Sequence, residues 1–246
     1  MKNIKLTIEY DGKRYLGWQR LGDSDKTIQG KIEGVLTQMT GESIEIIGSG
    51  RTDTGTHARG QVANFKTNAK MTPDEMRDFL NRHLPRDIVV KKAEEAAARF
   101  HARYNAVGKQ YSYYIWNETV PSVFARNYSY HYPQKLDIAK MDEACQKLTG
   151  THNFSGFSAL RKTKKSTVRT LDKLSIQKEG GMLHLTFAGD GFLHKMVRII
   201  TGTLLEIGAG ELELAVIDEI FASNVRKYAG DTAPSHGLFL DEVFYH

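Results

Sequence analysis

The sequence has a single cysteine in 246 residues. Cys145 has no partner for an intramolecular disulfide, and one thiol cannot by itself build a zinc or iron–sulfur site. Its register in a helical stripe makes it a core residue instead. Nowhere does the chain approach the ~20 consecutive apolar residues of a membrane span. Met1-Lys2-Asn3-Ile4-Lys5 runs straight into a polar-alternating segment rather than the apolar stretch of a secretion signal. A soluble, cytoplasmic protein without a membrane partner or a metal is therefore expected. The H-x-E and P-C-x-x-C patterns of zinc-dependent base deaminases are both absent.

What the sequence does contain is enough apolar material for a core: 40% of its residues are hydrophobic, which suits one large domain or two small ones. Lys and Arg outnumber Asp and Glu by 34 to 29, a net charge of +5 that favours polyanionic partners without requiring them. The clustering says more than the total. Arg161, Lys162, Lys164, Lys165 and Arg169 crowd one short stretch, and Arg99, His101, Arg103 and Lys109 surround Phe100, Tyr104 and Tyr111. Cations can neutralise phosphates while aromatic rings stack on unpaired bases. A solvated loop has the same composition, so the pattern alone decides nothing.

Ile4, Leu6, Ile8 and Tyr10 alternate with polar residues ahead of Asp11-Gly12, which predicts a half-buried strand ending in a turn. A helix follows behind Thr27, with Ile28, Ile32, Val35, Leu36 and Met39 on one face. Ile44 and Ile46 mark a second strand and Val62 to Lys66 a third, separated by a loop from Gly48 to Gly60. Thr72-Pro73-Asp74-Glu75 has the spacing of a capping box with proline at the first helical position. Ile88 to Val90 closes a β-α-β-β-α-β order. The second half repeats it: a strand over Gln110 to Trp116, a helix capped by Asp137, strands Leu174 to Lys178 and Met182 to Ala188 hinged at Gly180-Gly181, and a helix with Met196, Val197, Ile200 and Leu204. An extra helix near Leu214 to Phe221 precedes a last strand, Leu238 to Tyr245. The expectation is an α+β fold of two pseudo-repeated, ferredoxin- or RRM-like halves, 1–105 and 106–246, with mainly antiparallel sheets and a central cleft.

Gly48-Ser49-Gly50-Arg51-Thr52-Asp53-Thr54-Gly55-Thr56-His57-Ala58 is the most informative stretch. It begins like G-x-G-x-x-G, but Asp53 takes the third glycine's place, where its carboxylate would repel a pyrophosphate, and no G-K-[ST] follows. In an extended loop Arg51 and Asp53 point to the same side, so the guanidinium would keep the carboxylate ionised and oriented. An ionised aspartate suits attack on, or stabilisation of, a sugar carbon during glycosidic cleavage, which needs neither metal nor redox group. The alternative is an Asx-type turn with a surface ion pair.

The run G-R-T-D-T-G-T-H-A-R-G-Q-V-A resembles the signature of the tRNA pseudouridine synthase A family, whose usual form is G-R-T-D-A-G-V-H-A followed by G-Q-V. Tyr10-Asp11-Gly12, Gly17-Trp18-Gln19, Thr27-Ile28-Gln29-Gly30, Phe100-His101-Ala102-Arg103, Lys109-Gln110-Tyr111, Phe192 to Arg198, Ala233-Pro234 and Gly237-Leu238 resemble that family in order. The resemblance implies Asp53 as the catalytic aspartate, Tyr111 and Arg198 as active-site residues, and Leu238 as a buried pocket leucine. It also implies that Arg51 and Arg169 act when the target nucleotide leaves the helical stack. Arg161, Lys162, Lys164 and Lys165 are expected to bind tRNA phosphates. No cofactor is implied, because the reaction oxidises nothing. The resemblance further implies target uridines at positions 38 to 40 of the anticodon stem-loop and a homodimer. Thr54 and Thr56 replace the family's Ala and Val, which leaves the carboxylate in place but alters the pocket wall. His57 and His194 are read as structural.

A non-catalytic RNA-binding protein of two RRM-like modules would share the same element order. It would be expected to carry K/R-G-F/Y-G/A-F-V-x-F/Y, which no segment matches, and it has no evident need for Arg51 and Asp53 in one loop.

Overall fold

A computed structural model describes residues 1–22, 24–160 and 165–246; Arg161, Lys162 and Lys164 of the basic cluster lie outside the described residues. The chain forms two compact units, Met1–Val107 with Phe239–His246, and Gly108–Leu238. Both are α+β, and their strand pairs are mostly antiparallel.

The first unit is organised around β1 (Lys2–Tyr10), where Ile4, Leu6 and Ile8 are wholly buried and the residues between them are not. A period of two puts these three on one face, and burying that face against neighbours is what fixes the register. Helix α1 (Ile28–Thr40) starts at Thr27, whose side chain accepts the Gly30 N–H, and ends at Gly41 in the left-handed region, φ 72°. Strand β2 (Ile47–Gly48) is short and pairs antiparallel with β3 (His57–Thr67). Helix α2 (Pro73–His83) has the capping box in full: Thr72 and Glu75 each satisfy the other's backbone amide. With β4 (Ile88–Ala96) the order is β-α-β-β-α-β, and β1 lies between β3 and β4, antiparallel to both.

One expectation in this unit is displaced. Ile44 and Ile46 are buried but precede the strand instead of forming it, because the Ile46 N–H is taken by the Glu33 carboxylate of α1 at 3.0 Å rather than by a strand neighbour.

The second unit holds β5 (Ala106–Trp116), β6 (Tyr130–His131), α3 (Ile138–Leu148), β7 (Gly150–Asn153), β8 (Val168–Glu179), β9 (Met182–Gly189), α4 (Met196–Ala209) and α5 (Val216–Ser223). β9 lies between β5 and β8, antiparallel to both, and β7 flanks β8. Gly180, φ 56°, makes the two-residue turn that pairs Glu179 with Met182. β6 and β7 were not expected. β6 has only two residues, and Gly-Thr-His-Asn in β7 has no apolar alternation to betray it.

The last strand, β10 (Leu238–Tyr245), has the expected bounds but a different home. Phe239 and Leu240 pair in parallel with His57 and Ala58 of β3, so residues from Phe239 onward complete the first unit rather than the 106–246 half in which they were expected. A parallel partner this distant in sequence leaves no local mark. Among the described residues, no helix is long and apolar enough to cross a membrane.

Candidate active site

Residues 49–56 connect β2 to β3, and nearly every one is tied down. Ser49 donates its N–H to the Val62 carbonyl at 2.7 Å and its hydroxyl to Gln61 Oε1 at 2.7 Å, while Gln61 Nε2 donates to the Gly50 carbonyl at 3.0 Å. Thr52 is buried, with its hydroxyl 2.8 Å from the Tyr10 hydroxyl and its carbonyl accepting the Trp18 N–H. Burial pushes the Tyr10 hydroxyl up to about 12, against the pull of its hydrogen bonds with Thr52 and Gln61, so it stays protonated. The Gly55 N–H reaches the Tyr15 carbonyl.

Two glycines let the segment after β1 lie flat against this loop. A Cβ on Gly12 would sit 1.9 Å from the Thr56 carbonyl oxygen, and one on Gly17, φ 98°, would sit 2.5 Å from that of Thr52. Only glycine permits the approach. His57, 1% exposed, accepts the Gly12 N–H at Nδ1 (3.1 Å) and stacks on Phe239 at 4.7 Å. The guanidinium of Arg59 covers Phe239 at 4.3 Å and pairs with Asp241. His57 is thus an anchor between β3, β10 and the Gly12 turn, in keeping with its structural reading.

Asp53 is partly exposed at the tip of this braced segment, and its carbonyl accepts the Thr56 N–H to open a turn. The expected Arg51–Asp53 pair does not form among the described residues. Arg51 is exposed, and its Nε donates instead to Gln19 Oε1 at 3.1 Å. Thr54 is exposed beside Asp53, while Thr56 is buried.

In the second unit, Tyr111 of β5 is 8% exposed, with its ring edge-on to Phe192 at 5.0 Å. Arg198 projects from the first turn of α4, and its Nε donates to the Ala233 carbonyl at 2.7 Å while the Ala233 N–H returns to the Arg198 carbonyl. The Tyr113 hydroxyl donates to the Pro234 carbonyl at 2.6 Å; burial drives it far above its usual range, with the Arg198 charge pulling the other way. Gly237 packs against the Tyr113 ring, and Leu238 follows, 6% exposed. Tyr113, Arg198 and the 233–238 segment therefore form one block that fixes both the arginine and the leucine. Arg169 of β8 is half-buried, with its guanidinium on the carbonyls of Ser166 and Val168, and Lys165 is exposed.

The first unit thus carries Asp53 and Arg51, and the second carries Tyr111, Arg198, Arg169, Leu238 and Lys165. Tyr10, Gln61 and Ala233 lay inside the motif blocks and Tyr113 inside an expected strand, but the sequence reading gave none of them a role at the site, since a strand tyrosine and a backbone carbonyl look ordinary in sequence. Among the described residues, no group of three or more His, Cys, Asp or Glu could hold a metal ion.

Comparison with known proteins gives this geometry a context. The profile of the tRNA pseudouridine synthase family matches residues 6–105 and 144–246. The chain is 48% identical over 245 residues to a tRNA pseudouridine synthase A of a Bacillus species and 47% identical over 245 residues to that of Acetivibrio thermocellus, with 100% of each chain covered in both cases. It is 46% identical over 243 residues to a tRNA pseudouridine synthase A 2 of Bacillus cereus, covering 99% of both.

Proposed function

The chain belongs to the tRNA pseudouridine synthase family, and from that premise we propose that it isomerises uridine in the tRNA anticodon stem-loop with Asp53 as its catalytic carboxylate. In this reaction the N1–C1′ bond of uridine breaks, the uracil turns, and C5 bonds to the same sugar carbon. The C5 proton is lost and N1 gains one, so atoms balance and no electron acceptor enters. The protein has to supply negative charge at the sugar, a surface for the extruded base and a route for one proton.

Asp53 supplies the charge. The observation that carries this reading is its setting: a carboxylate at the tip of a loop braced by Tyr10, Gly12, Gly17 and Gln61, inside the segment that matches the family. A group held this way needs little reorganisation when charge develops at C1′, which is how a fixed carboxylate lowers a barrier. Tyr111 stacks on the extruded uracil and takes part in moving the C5 proton, with Phe192 behind its ring. Arg198, fixed through Ala233, serves the second unit's part of the site, and Leu238 lines the apolar wall. Arg51 and Arg169 hold the strand from which the nucleotide has left. The targets are positions 38 to 40, and the working form is a cytoplasmic homodimer, which sedimentation and pseudouridine mapping in tRNA from a deletion strain address directly.

Asp53→Asn is the decisive test, since it keeps size and removes charge. With enzyme in excess over tRNA, the single-turnover rate should fall by at least roughly a thousandfold, about 4 kcal/mol of barrier, while affinity for tRNA changes little. A wild-type rate in this variant, purified free of host enzyme, would remove Asp53 from the mechanism.

A further inference from the structure

The turn at residues 97–105 is built more firmly than a surface loop requires, and what it displays is an aromatic ring. Two buried asparagines, each 2% exposed, hold it to the sheet. Asn3 Nδ2 donates to the carbonyls of Ala97 (3.0 Å) and Phe100 (2.8 Å), and Asn64 Oδ1 accepts the Ala102 N–H (2.8 Å) while Asn64 Nδ2 donates to Asn3 Oδ1. The Tyr245 hydroxyl donates to the Ala102 carbonyl at 2.7 Å, and the Phe100 ring leans on Tyr245 at 5.2 Å. Within the turn, Asn105 Oδ1 accepts the His101 N–H and the Asn105 N–H returns to the His101 carbonyl. His101 Nδ1 accepts the amides of both Arg103 and Tyr104.

The result is an imidazole fixed in place with a tyrosine stacked on it, ring centroids 4.1 Å apart and planes 30° from parallel. Tyr104 is 77% exposed, so its outer face meets solvent. Arg99 and Arg103 are exposed on the same turn. Neither forms an ion pair among the described residues, whereas Arg14, Arg20, Arg59 and Arg77 each have a carboxylate. A large ring held open to water on a rigid base, with two unneutralised guanidiniums beside it, has the composition of a platform for single-stranded nucleic acid. A protein partner would be matched better by a contiguous apolar patch.

We propose that the His101–Tyr104 stack, flanked by Arg99 and Arg103, is an RNA-binding platform that takes one unpaired base of the tRNA on Tyr104 and neighbouring phosphates on the arginines. It is separate from the residues assigned to the reacting uridine. This rests on the reading of the chain as a tRNA-modifying enzyme, and its contribution is to substrate binding and not to bond exchange.

The test uses the full chain and unmodified tRNA transcript. Tyr104→Ala should raise Kd about tenfold, the scale of one lost base–aromatic stack, while Tyr104→Phe stays within about twofold of wild type. Arg99→Ala with Arg103→Ala should make the slope of log affinity against log salt shallower by about 1.4 to 1.8, two phosphate contacts' worth. Single-turnover rates at saturating enzyme should be unchanged in all three, and thermal melting confirms that the exposed substitutions leave the fold intact. Wild-type affinity in Tyr104→Ala, or an undiminished salt slope in the double variant, would overturn the platform. So would a Tyr104→Ala variant that binds tRNA normally but loses self-association, an outcome that assigns the turn to a protein contact. Wild-type protein that binds tRNA yet forms no pseudouridine would refute the proposed function alone, and the Kd comparison would still judge the platform.

Discussion

Two threonines of the Asp53 loop stand in opposite circumstances: the Thr52 hydroxyl is matched by Tyr10, whereas Thr56 is 1% exposed and its hydroxyl has no hydrogen-bond partner among the described residues. A buried hydroxyl left unmatched costs about 1 to 3 kcal/mol. Valine, which the family signature usually carries at that place, has the same branched shape without the polar atom. Thr56→Val should therefore stabilise the protein by about 1 kcal/mol, read as a rise in Tm of roughly 2 to 4 °C. A lower Tm would mean that the hydroxyl is satisfied in solution. The two sites differ in legibility as well. Asp53 was singled out by the family signature around it, since an Asx-type turn would use the same residue, while Thr52 and Thr56 look alike until burial and partners separate them. Arg51 misled for a related reason: residue spacing brought it level with Asp53, but Gln19, 32 positions earlier in the chain, claims its guanidinium.

Elements were readable wherever their signals were local. The capping box of α2 lies within four consecutive residues, and the Thr27 and Asp137 caps sit next to the helices they start. β10 was bounded correctly, yet its partner was not, because pairing with β3 depends on residues some 180 positions away, as Arg59 and Asp241 illustrate. β2 follows Ile44 and Ile46 instead of containing them, through a buried carboxylate on α1. The same long-range logic governs the Asp53 loop, whose shape is set by the segment after β1. Gly12→Ala tests this. Its methyl would fall 1.9 Å from a main-chain oxygen that cannot step aside without moving Thr56 and, through the turn, Asp53. The variant should lose about 1 to 3 kcal/mol of stability, the usual range for overpacking. Its single-turnover rate should also fall at least tenfold, although position 12 has no assigned contact with RNA. A stable, fully active Gly12→Ala protein would show that the loop does not depend on this clamp.

At the scale of the whole molecule, the residues given roles in the proposed function fall in both units: Asp53 in the first, Tyr111, Arg198 and the basic cluster in the second. A net charge of +5 is too small to bind a polyanion by bulk attraction, so affinity has to come from where the cations are grouped. Arg161, Lys162, Lys164 and Lys165 are the densest such group in the sequence. Phosphate contacts of this kind release counterions whatever the base sequence, which gives a signature distinct from that of the uridine-contacting residues. Reversing all four to glutamate should weaken binding to every tRNA tested by at least about a hundredfold at low salt and make the log–log salt slope shallower by about 2.8 to 3.6. Bond exchange in the bound complex should continue at close to the wild-type rate, because none of the four is assigned to the sugar or the base. Cognate and non-cognate tRNAs should lose affinity in parallel; a loss confined to the cognate tRNA, or an unchanged salt slope, would mean that these cations do not track the phosphate backbone.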